Sequence, residues 1–223
     1  MSKSNWTEVD HYFNHHLLDE DPVLESTLEA NARAALPAID VSPSQGKLLY
    51  LLARLQSAKR ILEIGTLGGY STIWLARALP PNGKVITLEL EKKHAEVAQA
   101  NINRAGLSNQ VEILQGRAVD LLETLKESGS EPFDFIFIDA DKESLPEYFT
   151  WALKLSRIGS VIIIDNVVRD GAVVHAKSED LRVQGVRRMV ALLSNHSGAS
   201  STVVQTVGMK GYDGFIMVYV EAV

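Results

Sequence analysis

The chain has 223 residues, of which 46% are hydrophobic and 22% charged, as in a folded globular domain. This length suits one substantial core and is short for two domains. It contains no cysteine, which excludes disulfides, thiolate metal sites and cysteine nucleophiles. No apolar run reaches the roughly 20 residues of a membrane helix, and the N-terminus lacks the apolar stretch of a secretory signal. The formal charge of −6 disfavours a nucleic-acid-coating surface, and a cytoplasmic location is expected.

Residues 1–56 are predicted to form a helical cap ahead of a sheet. In the first helix, one amphipathic stripe recurs at spacings of three and four: Trp6, Val9, Phe13 and Leu17. Residues 22–36 and 42–55 predict two more helices, and Ser42 or Ser44 is expected to cap the second of these. The cap is expected to cover the sheet or a partner subunit.

After this cap, short β-branched runs alternate with helix-like segments. The predicted strands are 60–65, 84–90, 111–116, 133–139 and 160–165. Because these runs are apolar nearly throughout, they indicate a parallel sheet covered on both faces. A helix is predicted near 180–195, and residues 201–223 predict a hairpin that finishes the sheet. The fold class is therefore α/β: one doubly wound domain with an antiparallel edge.

The first predicted strand runs into a glycine-rich turn, EIGTLGGYS, at residues 63–71. Glycines let the backbone turn sharply and approach a ligand closely, and Ser71 is expected to cap the following helix. The second strand ends in Glu89, whose carboxylate can accept the hydroxyl protons of a ribose. The turn therefore predicts a nucleotide site, although a purely structural turn stays open as an alternative.

The cofactor is inferred from the spacing and charge of this turn. Its glycines, Gly65, Gly68 and Gly69, depart from the G-x-G-x-x-G pattern that binds a dinucleotide. Glu63 would repel a pyrophosphate but suits an ammonium or sulfonium group. S-adenosylmethionine, which has both of these groups and a ribose, is therefore favoured over a nicotinamide dinucleotide.

Two further predicted strands end in acids, at Asp139 and at Asp165, and Asn166 follows the second. If these strands are neighbours, their oxygens converge at one edge of the sheet. Such a set favours Mg²⁺, or Mn²⁺ or Ca²⁺, over zinc or copper. Asp141, two residues beyond the strand end, is expected to face the cofactor's amino group instead. Solvated or helix-capping acids are the alternative interpretation.

Lys142 is the candidate general base. Beside a divalent cation and shielded from water by substrate, a lysine is disfavoured as the ammonium, so it can accept a phenolic proton. A surface lysine in a charged loop is the structural alternative.

From about Ile39 onward the chain resembles the cation-dependent catechol and caffeoyl-CoA O-methyltransferases, including their small bacterial members. The matching stretches are SPSQGKLL, ILEIGTLGGYS, VITLELE, FDFIFIDADK, VIIIDNV and GYDGF. The resemblance implies a single Rossmann-like, seven-stranded methyltransferase domain over residues 1–223, with S-adenosylmethionine as methyl donor. It implies Mg²⁺ held by Asp139, Asp165 and Asn166, with Lys142 as base. The implied cofactor contacts are Val41, Glu63, Gly65, Gly69, Ser71, Glu89, Ala118, Asp139 and Asp141.

The acceptor is implied only as a class: a catechol-like, flavonoid or caffeoyl-type phenol. Plant members often carry an aromatic residue soon after Asp-Asn-Val, whereas this loop, 168–171, reads Val-Arg-Asp-Gly. Tyr212 and Asp213 match the family's terminal motif and are candidate pocket residues, and His175 follows the metal strand.

Other classes stay open at this point: a cofactor-binding module without catalysis, a nicotinamide-dependent oxidoreductase, or a methyltransferase of RNA or protein. The acidic charge disfavours RNA. The expected partners are a small phenolic acceptor and a second copy of the chain, with neither nucleic acid nor membrane.

Overall fold

The computed structural model of the chain describes residues 3–222. Its first three helices are α1 (Lys3–Leu17), α2 (Pro22–Arg33) and α3 (Pro43–Leu55). The carboxylate of Asp21 caps α2, and the hydroxyl of Ser42 caps α3 by accepting from the backbone N–H of Gln45. Of the two serines proposed as the cap of α3, Ser42 is therefore confirmed. Ser44 instead donates to Asn14 of α1 at 2.6 Å.

Seven strands form one sheet in the order β3-β2-β1-β4-β5-β7-β6. They are β1 (Arg60–Ile64), β2 (Lys84–Glu89), β3 (Val111–Gln115), β4 (Phe133–Ile138), β5 (Ser156–Asp165), β6 (Ala199–Gly208) and β7 (Gly211–Val220). The first five run parallel, whereas β7 is antiparallel to both β5 and β6. The predicted doubly wound sheet with an antiparallel hairpin is confirmed.

Five helices follow within the sheet region: α4 (Tyr70–Ala78), α5 (Lys92–Arg104), α6 (Ala118–Glu127), α7 (Leu145–Lys154) and α8 (Leu181–Ser194). Together with α3, helices α4 and α5 cover one face of the sheet, and α6, α7 and α8 cover the other. In β4, Phe135 and Phe137 pack into the first layer, while Ile136 and Ile138 pack into the second. Burial on both faces explains why this strand is apolar at nearly every position.

Strand β5 begins at Ser156, four residues before the predicted start at Ser160. Gly159 (φ +88°) and exposed Arg157 break the apolar run there, so hydropathy alone places the start too late. A short 3-10 helix, Ala172–Val174, occupies the loop after β5 and carries no periodic signal in the sequence.

The apolar stripe of α1 is largely exposed, although the helix contacts β6 and α3. Phe13 is 50% exposed and Leu17 is 70% exposed. Asp10, beside the stripe, accepts from the backbone N–H of Met209 at 2.7 Å. Most of the stripe is therefore exposed, although the helix itself contacts β6. Among residues 3–222, no helix combines the length and apolar content needed to cross a membrane.

Candidate active site at the carboxyl edge of the sheet

A cavity of about 720 Å³ opens where β1, β2 and β4 end. This is the edge at which open α/β sheets bind their ligands. Nine of the predicted site residues line it: Val41, Gly65, Ser71, Glu89, Ala118, Asp139, Asp141, Lys142 and Asn166. Glu63, Gly69 and Asp165 are not among the residues that line it. Most of the predicted residues therefore come together at one cavity, and their individual roles stay predictions.

The glycine turn after β1 packs directly on the end of β4. Gly65 has φ +101°, and a Cβ on it would lie 2.1 Å from the carbonyl oxygen of Asp139. Only glycine allows this approach, so Gly65 lets the two strand ends lie close together. The expectation that Ser71 caps α4 is wrong: Gly69 is the N-cap residue, and the Ser71 hydroxyl donates to Glu63 at 2.6 Å.

Glu63 is fully buried beneath this turn. Its carboxylate accepts from the hydroxyls of Ser71, Thr72 and Thr87. Burial raises the pKa of Glu63 to about 7, although the three hydroxyls act in the opposite direction. The hydrogen bonds of Glu63 are thus made to other side chains of the protein.

Glu89, at the end of β2, fastens the same turn from the other side. Its Oε2 accepts from the backbone N–H of Leu67 at 2.8 Å and of Thr66 at 3.2 Å. Its Oε1 accepts from the N–H of Glu91 at 2.9 Å and lies 3.4 Å from Nδ1 of His94. Glu89 therefore both shapes the turn and lines the cavity.

The two predicted metal-binding acids lie on adjacent strands. Since Ile138 of β4 pairs with Ile164 of β5, Asp139 and Asp165 are the next residues on strands about 4.8 Å apart. Asp165 is 4% exposed. Burial, followed by the charge of Asp139, raises the pKa of Asp165. Asn166 follows with φ +54°, a left-handed conformation that asparagine tolerates better than most residues.

The predicted base completes this group. The ammonium of Lys142 lies 3.0 Å from Oδ1 of Asp139, and its side chain is 6% exposed. Two carboxylates and an amide oxygen fit a hard divalent cation, because the acids repel each other and have few protein donors. Within the described part of the chain, no three His, Cys, Asp or Glu side chains could hold a metal. The predicted ligand set differs from such a group, because it has two carboxylates and the amide of Asn166.

Asp141 is oriented by the start of α7. It accepts from the backbone N–H of Ser144 at 3.0 Å and from the hydroxyl of Tyr148. Burial acts to raise the pKa of Asp141, but these hydrogen bonds outweigh it and the pKa is lowered. Asp141 therefore stays ionised at the cavity wall.

Several residues that serve the site were missed from the sequence. Gln45 donates to Oδ2 of Asp165 at 2.6 Å, and Thr87 donates to Glu63 at 2.7 Å. Arg169 and Arg182 also line the cavity. Gln45 lies within the SPSQGKLL stretch, so the motif was visible but its contact 120 residues away was not. The contact of Tyr148 with Asp141 is more local, because the two residues are only seven positions apart.

The terminal motif serves the loop that follows Asn166. Oδ1 of Asp213 accepts from the backbone N–H of Val168 at 2.9 Å and of Arg169 at 3.0 Å. Tyr212 lines a second, apolar cavity of about 400 Å³ between α8 and the hairpin. His175 lines neither cavity. Asp213 thus anchors the loop, while Tyr212 lines the second cavity and not the first.

Comparison with known proteins gives consistent matches. A family model described as O-methyltransferase matches residues 14–218. A catechol O-methyltransferase of Niastella koreensis is 53% identical over 221 residues, covering 99% of this chain and 100% of the relative. A Bacillus cereus O-methyltransferase, solved in complex with SAH, is 56% identical with a TM-score of 0.97, covering 98% of this chain and 100% of that one. TomG from Streptomyces achromogenes, involved in tomaymycin synthesis and solved with SAM, is 52% identical with a TM-score of 0.95, covering 99% of each chain.

Proposed function

Because the chain belongs to the O-methyltransferase family, we propose that it methylates a hydroxyl of a catechol-like, flavonoid or caffeoyl-type small molecule, with S-adenosylmethionine as donor. One observation carries this proposal: the close contact between Gly65 of the glycine turn and the backbone of Asp139. It brings the candidate donor site and the candidate acceptor site to opposite sides of one residue. A methyl transfer needs that proximity.

On the donor side, the wall of the cavity carries the acids Glu89, Asp139 and Asp141. Glu89 would accept from the ribose hydroxyls, and Asp141 and Asp139 would face the cationic amino-acid end of the donor. Val41 and Ala118 add apolar contacts. A dinucleotide is disfavoured because its pyrophosphate would meet these acids.

On the acceptor side, Asp139, Asp165 and Asn166 would hold a divalent cation, with Mg²⁺ favoured. When bound, this ion would supply charge stabilisation for a phenolate and an anchor for two adjacent oxygens. Lys142 would accept the hydroxyl proton. The acceptor oxygen then forms a bond to the methyl carbon while the carbon–sulfur bond breaks, and S-adenosylhomocysteine leaves. No covalent enzyme intermediate is required.

The test is a methyl-transfer assay over catechols, flavonoids and caffeoyl esters, each with Mg²⁺, with Mn²⁺, with Ca²⁺ and with excess chelator. We expect methylated product with metal, loss of product in chelator, and recovery when metal is restored. An unchanged rate in chelator would remove the metal role, and no product from any phenol would remove the acceptor class. Calorimetric titration with SAH and with NADH separates a methyltransferase from an oxidoreductase.

We also propose that the chain forms a homodimer. The exposed side chains of Phe13 and Leu17 on α1 and of Val203 and Val207 on the edge strand β6 support an apolar interface. Light scattering distinguishes the 24.5 kDa chain from a pair. The cytoplasmic location stays a prediction.

A further inference from the structure

Asp165 has a hydrogen-bond partner from the helical cap as well as from its own strand. Its Oδ1 accepts from the backbone N–H of Asn166 at 2.8 Å. Its Oδ2 accepts from Nε2 of Gln45, on α3, at 2.6 Å. Each carboxylate oxygen therefore has one donor, and the rotation of the carboxylate is fixed at both ends. One lone pair on each oxygen remains for another partner.

The local sequence explains how Gln45 reaches this strand end. Ser42 caps α3 and fixes the backbone of Gln45 in the first turn of the helix. At the next position, a Cβ on Gly46 would lie 2.4 Å from Cδ1 of Trp74, so only glycine lets α3 lie this close to α4. This close packing brings the side chain of Gln45 to the carboxyl end of β5.

We propose that Gln45 is a positioning residue for the metal site, which holds the Asp165 carboxylate in the orientation that binds a divalent cation. This inference rests on the proposed function, in which Asp139, Asp165 and Asn166 hold that cation. Without the N–H of Gln45, repulsion from Asp139 turns the Asp165 carboxylate away, and the ion loses a ligand. Hydrogen bonds to metal-binding carboxylates commonly contribute about 10-fold to 100-fold in metal affinity.

The same end of α3 links this ligand to the rest of the cap. Val41, which lines the cavity, precedes the helix, and Ser44 ties it to α1. Gln45 thus links the N-terminal helices to the proposed metal site.

The chain offers a matched control at the other end of α3. Gln56 follows the last residue of the helix and donates through its Nε2 to the carbonyl of Gly159, which also lies on β5. Gln45→Leu and Gln56→Leu therefore each remove one hydrogen bond that a side-chain amide donates from one end of the helix to β5. Only the first removes a bond to a proposed metal ligand.

The experiment measures Mn²⁺ binding to the full chain by electron paramagnetic resonance of the free ion, and SAH affinity by calorimetry. We expect Gln45→Leu to weaken Mn²⁺ binding by about 10-fold or more. Gln56→Leu should leave Mn²⁺ affinity unchanged, and both variants should keep SAH affinity within about twofold. In turnover assays, Gln45→Leu should raise the apparent KM for Mn²⁺ while kcat at saturating metal recovers.

Gln45→Asn, whose shorter amide does not reach Oδ2, should weaken Mn²⁺ binding in the same direction and serves if the leucine variant does not fold. Equal Mn²⁺ affinity in the Gln45 variants and the wild type would overturn the proposal. So would an equal loss in Gln56→Leu, since that result assigns the effect to helix docking. If the wild type itself binds no Mn²⁺, the metal site of the proposed function fails, a result distinct from failure of Gln45 alone.

Discussion

The two halves of the site both carry buried acids, but the protein satisfies them to different degrees. In the donor half, Glu63 accepts from three hydroxyls, and Glu89 accepts from three backbone N–H groups. In the acceptor half, Asp165 has two donors, and Oδ1 of Asp139 has the ammonium of Lys142. In each half the two acids come from adjacent strands.

The acids of the donor half have more protein donors than those of the acceptor half. A carboxylate surrounded by protein donors fixes the backbone around it, as Glu89 fixes the turn at Thr66 and Leu67. The carboxylates of Asp139 and Asp165 repel each other, and a cation or a proton bound between them would reduce that repulsion. Removing charge should therefore have opposite consequences for activity and stability in the acceptor half.

The largest effect is expected for Asp165→Asn. We expect turnover with metal to fall at least about 1,000-fold, because the ion contributes several kcal/mol of charge stabilisation. In chelator, the same variant should be about 1 kcal/mol more stable than the wild type, because a buried charge beside Asp139 is gone. Rates and urea unfolding measure the two quantities. Wild-type activity, or a lower stability in chelator, would contradict the contrast between the two halves.

Lys142→Met tests the base of the acceptor half. We expect kcat to fall about 100-fold, the lower end of the range for general bases, because chelation alone already favours the phenolate. SAH affinity should stay within about twofold, since Lys142 itself is not among the proposed cofactor contacts. Steady-state kinetics and calorimetry measure both values. Equal kcat in the variant and the wild type would remove Lys142 from the mechanism.

We expect Glu63→Gln to have the smallest effect on turnover. Its main effect should be on how the free energy of unfolding changes with pH. Because the fold raises the pKa of Glu63 from 4.5 to about 7, the folded chain binds a proton that the unfolded chain releases over this window. Wild-type stability should therefore fall by about 3 kcal/mol from this group as pH rises through it. The Gln variant lacks this contribution.

The measurement is urea unfolding of both proteins in chelator at about pH 5 and about pH 8, where the difference between their pH responses isolates Glu63. Matching pH responses would show that Glu63 is ionised at both pH values, and would contradict the expectation that burial raises its pKa.

Local patterns in the sequence were enough to predict the sheet and the candidate site. The apolar run of β4 and the acids at 139 and 165 are signals within a few residues, and Glu89 follows the same logic. What escaped depends on contacts between distant segments. Thr87 reads as an ordinary strand residue until β2 lies beside β1, and Gln45 reads as a surface residue until α3 reaches β5.

For the apolar stripe of α1, which contains Phe13, the sequence left open whether it contacts the sheet or a partner subunit. Periodicity predicts a helix and its apolar stripe but does not say what the stripe contacts. The positive φ angles of Arg169 and Asp170 also lack a local signal, because the backbone of the loop is held by Asp213, more than forty residues later.

The position of β7 has a consequence for the order in which the parts of the site are synthesised. Asp165 pairs with Phe215, so the strand that carries a proposed ligand has its outer neighbour in a segment translated about fifty residues later. The glycine turn, Glu63 and Glu89 need only strands that have already emerged. A nascent chain that stops short of residue 211 thus already contains every strand next to the donor half, while β5 still lacks its outer neighbour.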